Sequence, residues 1–536
     1  MAAAVASAGR AGTSELSVRG ERVLEERRDM TYRFGPLERM GFMLGLRIPQ
    51  LVGMVAALFF GVVLLHSGGL GGLLAAAGVV AAASLVFLVA VRGHTVEEWA
   101  PLTMRFLIGR ACGRARFRAR LGQVGHLLRV PEGGFDPQPP DEPRALPAEL
   151  AGLEFLEGEL ASFGATPFGV IVDRKAKTIT AVLRCQGESF ALLGGEERER
   201  RLGQYGSALA ALARDGSALR RIAWTERTLP ANRDQLARYV IDHKREDLSL
   251  EEPSDELVSY FQLLRRAPDV AEDHVLLFSV QIDTLRAVAR QAIKRQGGGD
   301  LGGLAVLAAE VGQVVDVLEG AGIAVTGVLT RRGVAAAVRN AYDPWGAQQR
   351  ERVSADGIAA MSAGPMARDE HWSHIQTDGA LHTTLWIAEW PRIDVRATFL
   401  QPLLTSSRAT RTVTMVMELV GPSRAIRQAE RAVTENATNE SMRLRIGQRT
   451  TKRIEHKEQA TSRREDELAS GHAEVRFAGY ITVSTPASPD AIDELEATVA
   501  RVELEAKHAM LRVERMWGQQ AESFTYGALP MCRGLR

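Results

Sequence analysis

Between Ile48 and Val91 the chain carries no Asp, Glu, Lys or Arg, and His66 is the one ionisable side chain in the run. Nothing else in the sequence restricts the fold as strongly. A backbone surrounded by lipid must satisfy its own N–H and C=O groups, and a helix does so within one segment. Gly68, Gly69, Gly71 and Gly72 cluster beside His66 and supply a turn, which divides the run into Ile48–Leu65 and Leu70–Val91. About 20 apolar residues cross roughly 30 Å of hydrocarbon. The second segment is comfortably long enough and the first is barely so. The pattern predicts an N-terminal two-helix transmembrane hairpin. A hairpin buried in a soluble core is the competing reading, and so long a charge-free stretch argues against it. Met1–Met30 does not read as a secretory signal, because it lacks an apolar core and holds Arg19, Glu21, Arg22, Glu25, Glu26, Arg27 and Arg28.

Arginine placement orients the hairpin. Arg33, Arg39 and Arg47 precede it, Arg92, Arg105, Arg110, Arg114, Arg116, Arg118 and Arg120 follow it, and its tip has no Lys or Arg. The positive-inside rule then places both termini on the cytoplasmic side of the plasma membrane. From Arg105 to Arg120 there is no acid, and Phe106, Leu107, Ile108 and Phe117 interleave with the arginines. Arg105, Arg110, Arg114, Arg116, Arg118 and Arg120 are therefore candidate membrane-interface residues on a helix lying against an anionic leaflet, with Trp99 at headgroup level. The plainer alternative is a basic helix packed on the soluble part of the same chain.

At 536 residues the chain exceeds one ordinary core, and its net charge of +1 offers no global field to attract nucleic acid. Seven of the 66 basic residues are lysine. This arginine excess, beside abundant Ala and Gly, is the signature of a GC-rich genome, so no single exposed Arg marks a function. Cys112, Cys185 and Cys532 are far apart and form no C-x-x-C, which points to reduced thiols rather than a disulfide framework or a cysteine zinc site.

Residues 1–30 read as a disordered arm, 31–122 as the hairpin with its basic juxtamembrane segment, and 123–149 as a linker rich in Pro and Gly. Residues 150–420 read as a mixed α+β cytoplasmic domain. Within it, Phe168–Val172, Thr178–Cys185, Leu219–Arg227, His274–Ile282, Ile323–Leu329, Leu381–Ile387 and Val413–Leu419 have strand character. Glu196–Arg214, Asp234–Lys244, Ser254–Arg265, Leu285–Arg295, Leu301–Leu318 and Arg332–Ala341 have helical character. Strands and helices do not alternate as βαβ units, which favours α+β over a doubly wound sheet. Residues 421–536 begin with a charged helical arm, Pro422–Glu467, and close with a strand, Val475–Val483, and a helix, Ala491–Trp517.

Chemistry-bearing motifs are few. No G-x-x-x-x-G-K-[ST] occurs, and none of the lysines follows a glycine. Gly-x-Ser-x-Gly is absent. His371, His374 and His382, with Asp369 and Glu370, have a spacing that metal ligands can use, and a membrane-bound metal enzyme is the alternative they raise. The preferred reading assigns no catalytic residue, no cofactor and no metal, and expects a protein that is not an enzyme. No motif mixing aromatic and basic residues supports contact with nucleic acid.

Two stretches carry family resemblance. Tyr32–Arg105, a basic lead, a two-helix hairpin and then Glu98-Trp99-x-Pro101-x-x-x-Arg105, resembles the PrgI-type two-helix inner-membrane subunit of type IV, conjugation-type secretion systems. Leu153–Arg536 resembles the N-terminal domain of the VirB/TrbE-type secretion ATPase. The similarity rests on the apolar strand His274–Ile282, the Thr383–Pro391 strand ending Glu389-Trp390-Pro391, the charged arm after Pro422, and the tail Gln519–Pro530. The whole layout is similar to a family of predicted integral membrane proteins of actinobacteria. The resemblance implies an oligomeric inner-membrane scaffold of a secretion or DNA-transfer machine, docking a separate secretion ATPase and other subunits. A membrane component of the type VII system, which also joins two-helix anchors to soluble bodies, is the alternative. The ATPase family's tail leads into a nucleotide-binding domain that the resembling stretch, Leu153–Arg536, does not include, so the resemblance transfers no active-site residue.

Overall fold

The computed structural model describes residues 48–119 and 146–535, apart from 92–93, 161–165, 188–189, 231–254, 267–271, 348–349, 351–356, 392, 406–408, 432–433 and 435–473. The expected arm at 1–30, most of the linker, Arg120, the helix expected at Asp234–Lys244 and most of the charged arm lie outside the described residues. Of that arm, residues 422–431 are helical.

Helices α1 (Ile48–Ser67) and α2 (Gly69–Leu88) form the hairpin. Two short strands, β1 (Ala90–Val91) and β2 (His94–Thr95), reverse the chain into α3 (Val96–Ala111). The remaining strands are β3 (Arg116–Arg118), β4 (Leu153–Leu160), β5 (Thr166–Asp173), β6 (Thr178–Gln186), β7 (Leu219–Pro230), β8 (Glu272–Asp283), β9 (Ala324–Val328), β10 (Ala367–Glu370), β11 (Ile375–Gln376), β12 (Ala380–Glu389), β13 (Thr410–Val420), β14 (Glu474–Pro486) and β15 (Arg512–Arg515). They join one 13-stranded sheet in the order β3-β10-β11-β12-β14-β13-β7-β8-β6-β5-β4, with β15 added on β12 and β9 on β6. Every pairing in it is antiparallel. The molecule is thus a mixed α/β fold built on one large antiparallel sheet.

Helices cover both faces of that sheet: α4 (Gly195–Leu212), α6 (Ala287–Arg295), α7 (Gly299–Gly320), α8 (Arg331–Tyr342), the short α9 (Gln401–Leu404), α10 (Ala491–His508) and α11 (Gln520–Gly527), while α5 (Asp255–Arg266) is largely exposed. Successive side chains of a strand point to opposite faces. Val170 and Val172 of β5, Leu183 of β6 and Val280 of β8 accordingly meet Leu307, Val311 and Val314 of α7, while Ile171, Val182 and Leu277 meet Val334 and Val338 of α8. With both faces covered, the strands read as continuous apolar runs rather than alternating ones, which made them visible in sequence. On the first face α10 lays Leu495, Val499 and Val502 over Leu385, Val413 and Ile481. Helix α7 is long and apolar enough to cross a membrane. Its buried Val306, Leu307, Val311, Val314, Val315 and Leu318 instead make it the central core helix.

Three expectations need correction. The segment after Arg105 is not one helix to Arg120: α3 stops at Ala111, Gly113 takes φ +73, and Arg116–Arg118 is a strand. The left-handed conformation, which only glycine adopts freely, ends the helix there. The closing helix stops at His508 rather than Trp517, because Met510 takes φ +58 and Arg512–Arg515 pairs with β12. Strand β4, Leu-Glu-Phe-Leu-Glu-Gly-Glu-Leu, escaped the reading because its glutamates lie on an edge strand.

Candidate functional site

The hairpin packs through small residues. Ala57 and Gly61 of α1 and Gly72, Ala76 and Ala83 of α2 are buried. A Cβ on Gly72 would stand 2.4 Å from the Leu64 carbonyl oxygen, so the helices touch there backbone to backbone. Gln50 is buried and donates to the Phe87 carbonyl at 3.0 Å, which satisfies an acceptor in the last turn of α2. The outward surface is apolar all round: Val55, Phe59, Phe60, Leu70, Leu74 and Leu85 are each more than half exposed. Apolar patches of this extent mark a site of interaction rather than a water-facing surface. By length and composition α2 can cross a membrane, and α1 is a shorter apolar helix.

Helix α3 ties the hairpin to the sheet. The Thr95 backbone N–H donates to Glu98 at 3.0 Å, the acid half of a capping box that starts the helix. Trp99 and Phe106, on one side of α3, pack on Trp372 with ring centroids 5.8 and 5.2 Å away. Trp372 lies between β10 and β11, and Gly518 backs its ring, where a Cβ would come within 2.4 Å. Arg105 pairs with Glu522 of α11. Strand β3 then pairs with β10, setting Arg116 opposite Asp369 and Phe117 opposite Arg368. Arg118 grips Asp369 with two hydrogen bonds of 2.8 and 2.7 Å, and that guanidinium holds the Asp369 carboxyl below the usual carboxylate range.

At the centre of this joint is Arg368, 2% exposed. It donates to Glu149 at 2.9 and 2.6 Å and to the Arg114 and Ala115 carbonyls at 3.0 Å each. One guanidinium thus binds the turn after α3, the start of the folded body and the sheet. The next residue, Glu370, accepts from the Ala521 backbone N–H at 2.9 Å, and burial raises its carboxyl pKa.

The C-terminal segment closes the second face. Strand residues there are polar and aim at its backbone: Arg227 donates to Ala528, Thr414 to Gly527, Gln281 to Met531 and Tyr480 to Gly534. Arg533 pairs with Asp173 at 2.5 Å. The tail expected to resemble a lead into an ATPase domain is a strap across β14, β13, β7 and β8.

The histidines do not converge. His382 is fully buried and contacts Thr377, Ser484 and the Tyr342 carbonyl at 3.0, 2.8 and 3.1 Å. Burial holds it down to about 4. His371 and His374 stack on each other, centroids 4.5 Å apart, and His374 is pushed down to about 4 by burial and by His371. Among the described residues no group of three or more His, Cys, Asp or Glu could hold a metal ion.

Of the residues read as facing a membrane, Trp99 packs on Trp372, Arg105 pairs with Glu522 of α11 and Arg118 with Asp369, while all five described arginines, Arg105, Arg110, Arg114, Arg116 and Arg118, are exposed. The joint residues Trp372, Arg368, Glu149 and Glu522 carried no local signal in sequence, because their roles depend on partners more than 100 residues away.

No curated protein matches the chain. A family model does match residues 272–387, less than a quarter of the chain, from the first residue of β8 through α7 and the Arg368–Trp372 joint into β12. That family is described as "Putative type VII ESX secretion system translocon, EccE", so the similarity falls to the type VII alternative and not to the type IV systems.

Proposed function

We propose that the chain is a non-enzymatic, membrane-anchored structural subunit of a type VII-like secretion translocon. In this reading α1 and α2 span the plasma membrane, both termini are cytoplasmic, and the sheet with its helices is a body on which other translocon subunits assemble. One observation supports the reading: the stretch matching the translocon family contains Arg368, Asp369 and Trp372, which hold α3 and β3, the segment that follows the apolar hairpin, against the sheet. A subunit that merely floated on a tether would not need a buried arginine at the junction. The type IV reading, with a separate secretion ATPase docked on the body, has no such support.

The test is extraction of the tagged full chain from its native membranes in mild detergent. Expected is a high-mass complex containing other subunits of a type VII system. A chain found in the supernatant without detergent, or migrating alone from a functioning system, would count against the proposal.

A further inference from the structure

Helix α3 has two apolar sides, and the fold uses one. Trp99 and Phe106 meet Trp372. On the other side Val96, Ala100, Met104, Leu107, Ile108 and Ala111 are all exposed and recur at helical spacing. Met104 and Leu107 are 62% and 60% exposed. A stripe of this kind running the whole length of a helix needs something to cover it.

Charge and position together indicate the cover. Arg110, Arg114 and Arg116 are exposed at the end of the stripe, and from Trp99 to Arg118 the chain has no acid. Glu97 is the one acid on this side of the helix among the described residues, and it sits in the first turn, at the opposite end from Arg110 and Arg114; Glu98 is engaged with the Thr95 N–H, Glu522 with Arg105, and Asp369 with Arg118. Helix α3 also begins directly after the reversal in which Ala90 pairs with Thr95, so the stripe continues from the apolar end of α2.

We propose that α3 lies in the headgroup layer of an anionic bilayer, with Met104, Leu107 and Ile108 entering the acyl boundary and Arg110 and Arg114 taking lipid phosphates. An apolar face that ends in a cationic margin free of acid from Trp99 onward, next to a hairpin that is apolar all round, has the chemistry of an interfacial helix. This rests on the reading of α1 and α2 as membrane-spanning. The arginines do not act as one uniform set: those at 105 and 118 lock α3 and β3 to the sheet, while those at 110 and 114 face lipid.

The test uses the full chain with Cys112→Ala, carrying a nitroxide at Leu107→Cys, in nanodiscs of phosphatidylcholine alone or mixed with phosphatidylglycerol. Labels at Leu73→Cys, in the hairpin, and Leu192→Cys, on the exposed surface of the body, are controls. The expected result is several-fold less collision with a water-soluble nickel chelate at position 107 than at 192, with oxygen access retained. Phosphatidylglycerol should strengthen that protection, and Arg110→Ala with Arg114→Ala should abolish the strengthening. If position 73 is protected and position 107 is as open to nickel as position 192, the proposal is overturned while the membrane hairpin stands. If position 73 is open as well, the hairpin reading falls and takes the proposal with it. Protection at 107 seen in native membranes but never in nanodiscs would assign the face to a protein partner and overturn the lipid assignment.

Discussion

Arg368 shows how much depends on a single buried charge. Its side chain and that of Glu149 are 2% and 8% exposed, and they sit 2.6 Å apart. Breaking such a pair leaves a charge stranded in low dielectric, which costs about 3–5 kcal/mol, whereas replacing both partners by apolar groups can be near neutral. Arg368→Met should therefore destabilise the full chain by about 3 kcal/mol in denaturant unfolding. Adding Glu149→Leu should recover only part of that, because the Arg114 and Ala115 carbonyls remain without their donor. Equal losses in the single and double variants would contradict this account.

His382 gives a pH dependence of fixed sign. Its folded pKa of about 4 lies below the ordinary 6.5, so between those values the unfolded chain binds the extra proton and stability falls as the pH falls. The full shift corresponds to about 3 kcal/mol. His374 acts in the same direction, whereas Glu370, raised by burial, acts in the opposite one. Comparing the chain with His382→Gln at pH 7 and pH 5 isolates the single imidazole. The variant should lose less stability between the two conditions, and parallel losses would show that His382 does not titrate as its burial implies.

At the scale of elements, the hairpin depends on the absence of side chains. Gly72 and Gly71 are neighbours in sequence and opposites in space. A Cβ on the first meets the Leu64 carbonyl, whereas a Cβ on the second has nothing within 4 Å. Gly72→Val should push α1 and α2 apart and cost about 1–3 kcal/mol, the usual range for overpacking. Gly71→Val should change little. Unfolding in mixed micelles, followed by helical circular dichroism, separates the two, and identical midpoints would mean that the helices do not pack as described. The two faces of the sheet differ in emphasis. Under α7 and α10 the contact is mainly apolar, with the buried Glu310 and the Arg411–Glu505 pair as its polar points, whereas under the C-terminal strap Thr414, Gln281 and Arg227 bond to backbone. The first kind follows from hydrophobic pattern. The second requires that a particular segment arrive, since buried polar groups without partners are costly.

For the whole molecule, the proposed topology has a direct consequence. A cysteine at His66→Cys, on the hairpin tip, should react with a membrane-impermeant maleimide in intact cells. Cys112, exposed at the end of α3, should react only after permeabilisation. Reversed labelling would place the body outside. The sheet also reaches back before Leu150: β3 forms one of its edges, so the chain enters the sheet right after α3 and returns to it at β4. The body and the segment that follows the hairpin are joined by strand pairing as well as by side chains.

Local pattern alone determined the apolar hairpin, the long strands covered on both faces and the helices packed on them. Each depends on runs of neighbouring residues whose hydrophobicity and period act over a few turns. The short strands β3, β10, β11 and β15 were beyond that reach, as were the end of α3 at Gly113 and the strap across the second face. Strands of two to four residues have little propensity of their own and exist because a partner edge is present. The same limit explains the site. The arginines after the hairpin were legible as a set, but which of them face outward and which clamp the sheet was decided only when Trp372, Asp369 and Glu522 were folded against α3 and β3. Contacts across hundreds of residues, not local sequence, select among equivalent charged side chains.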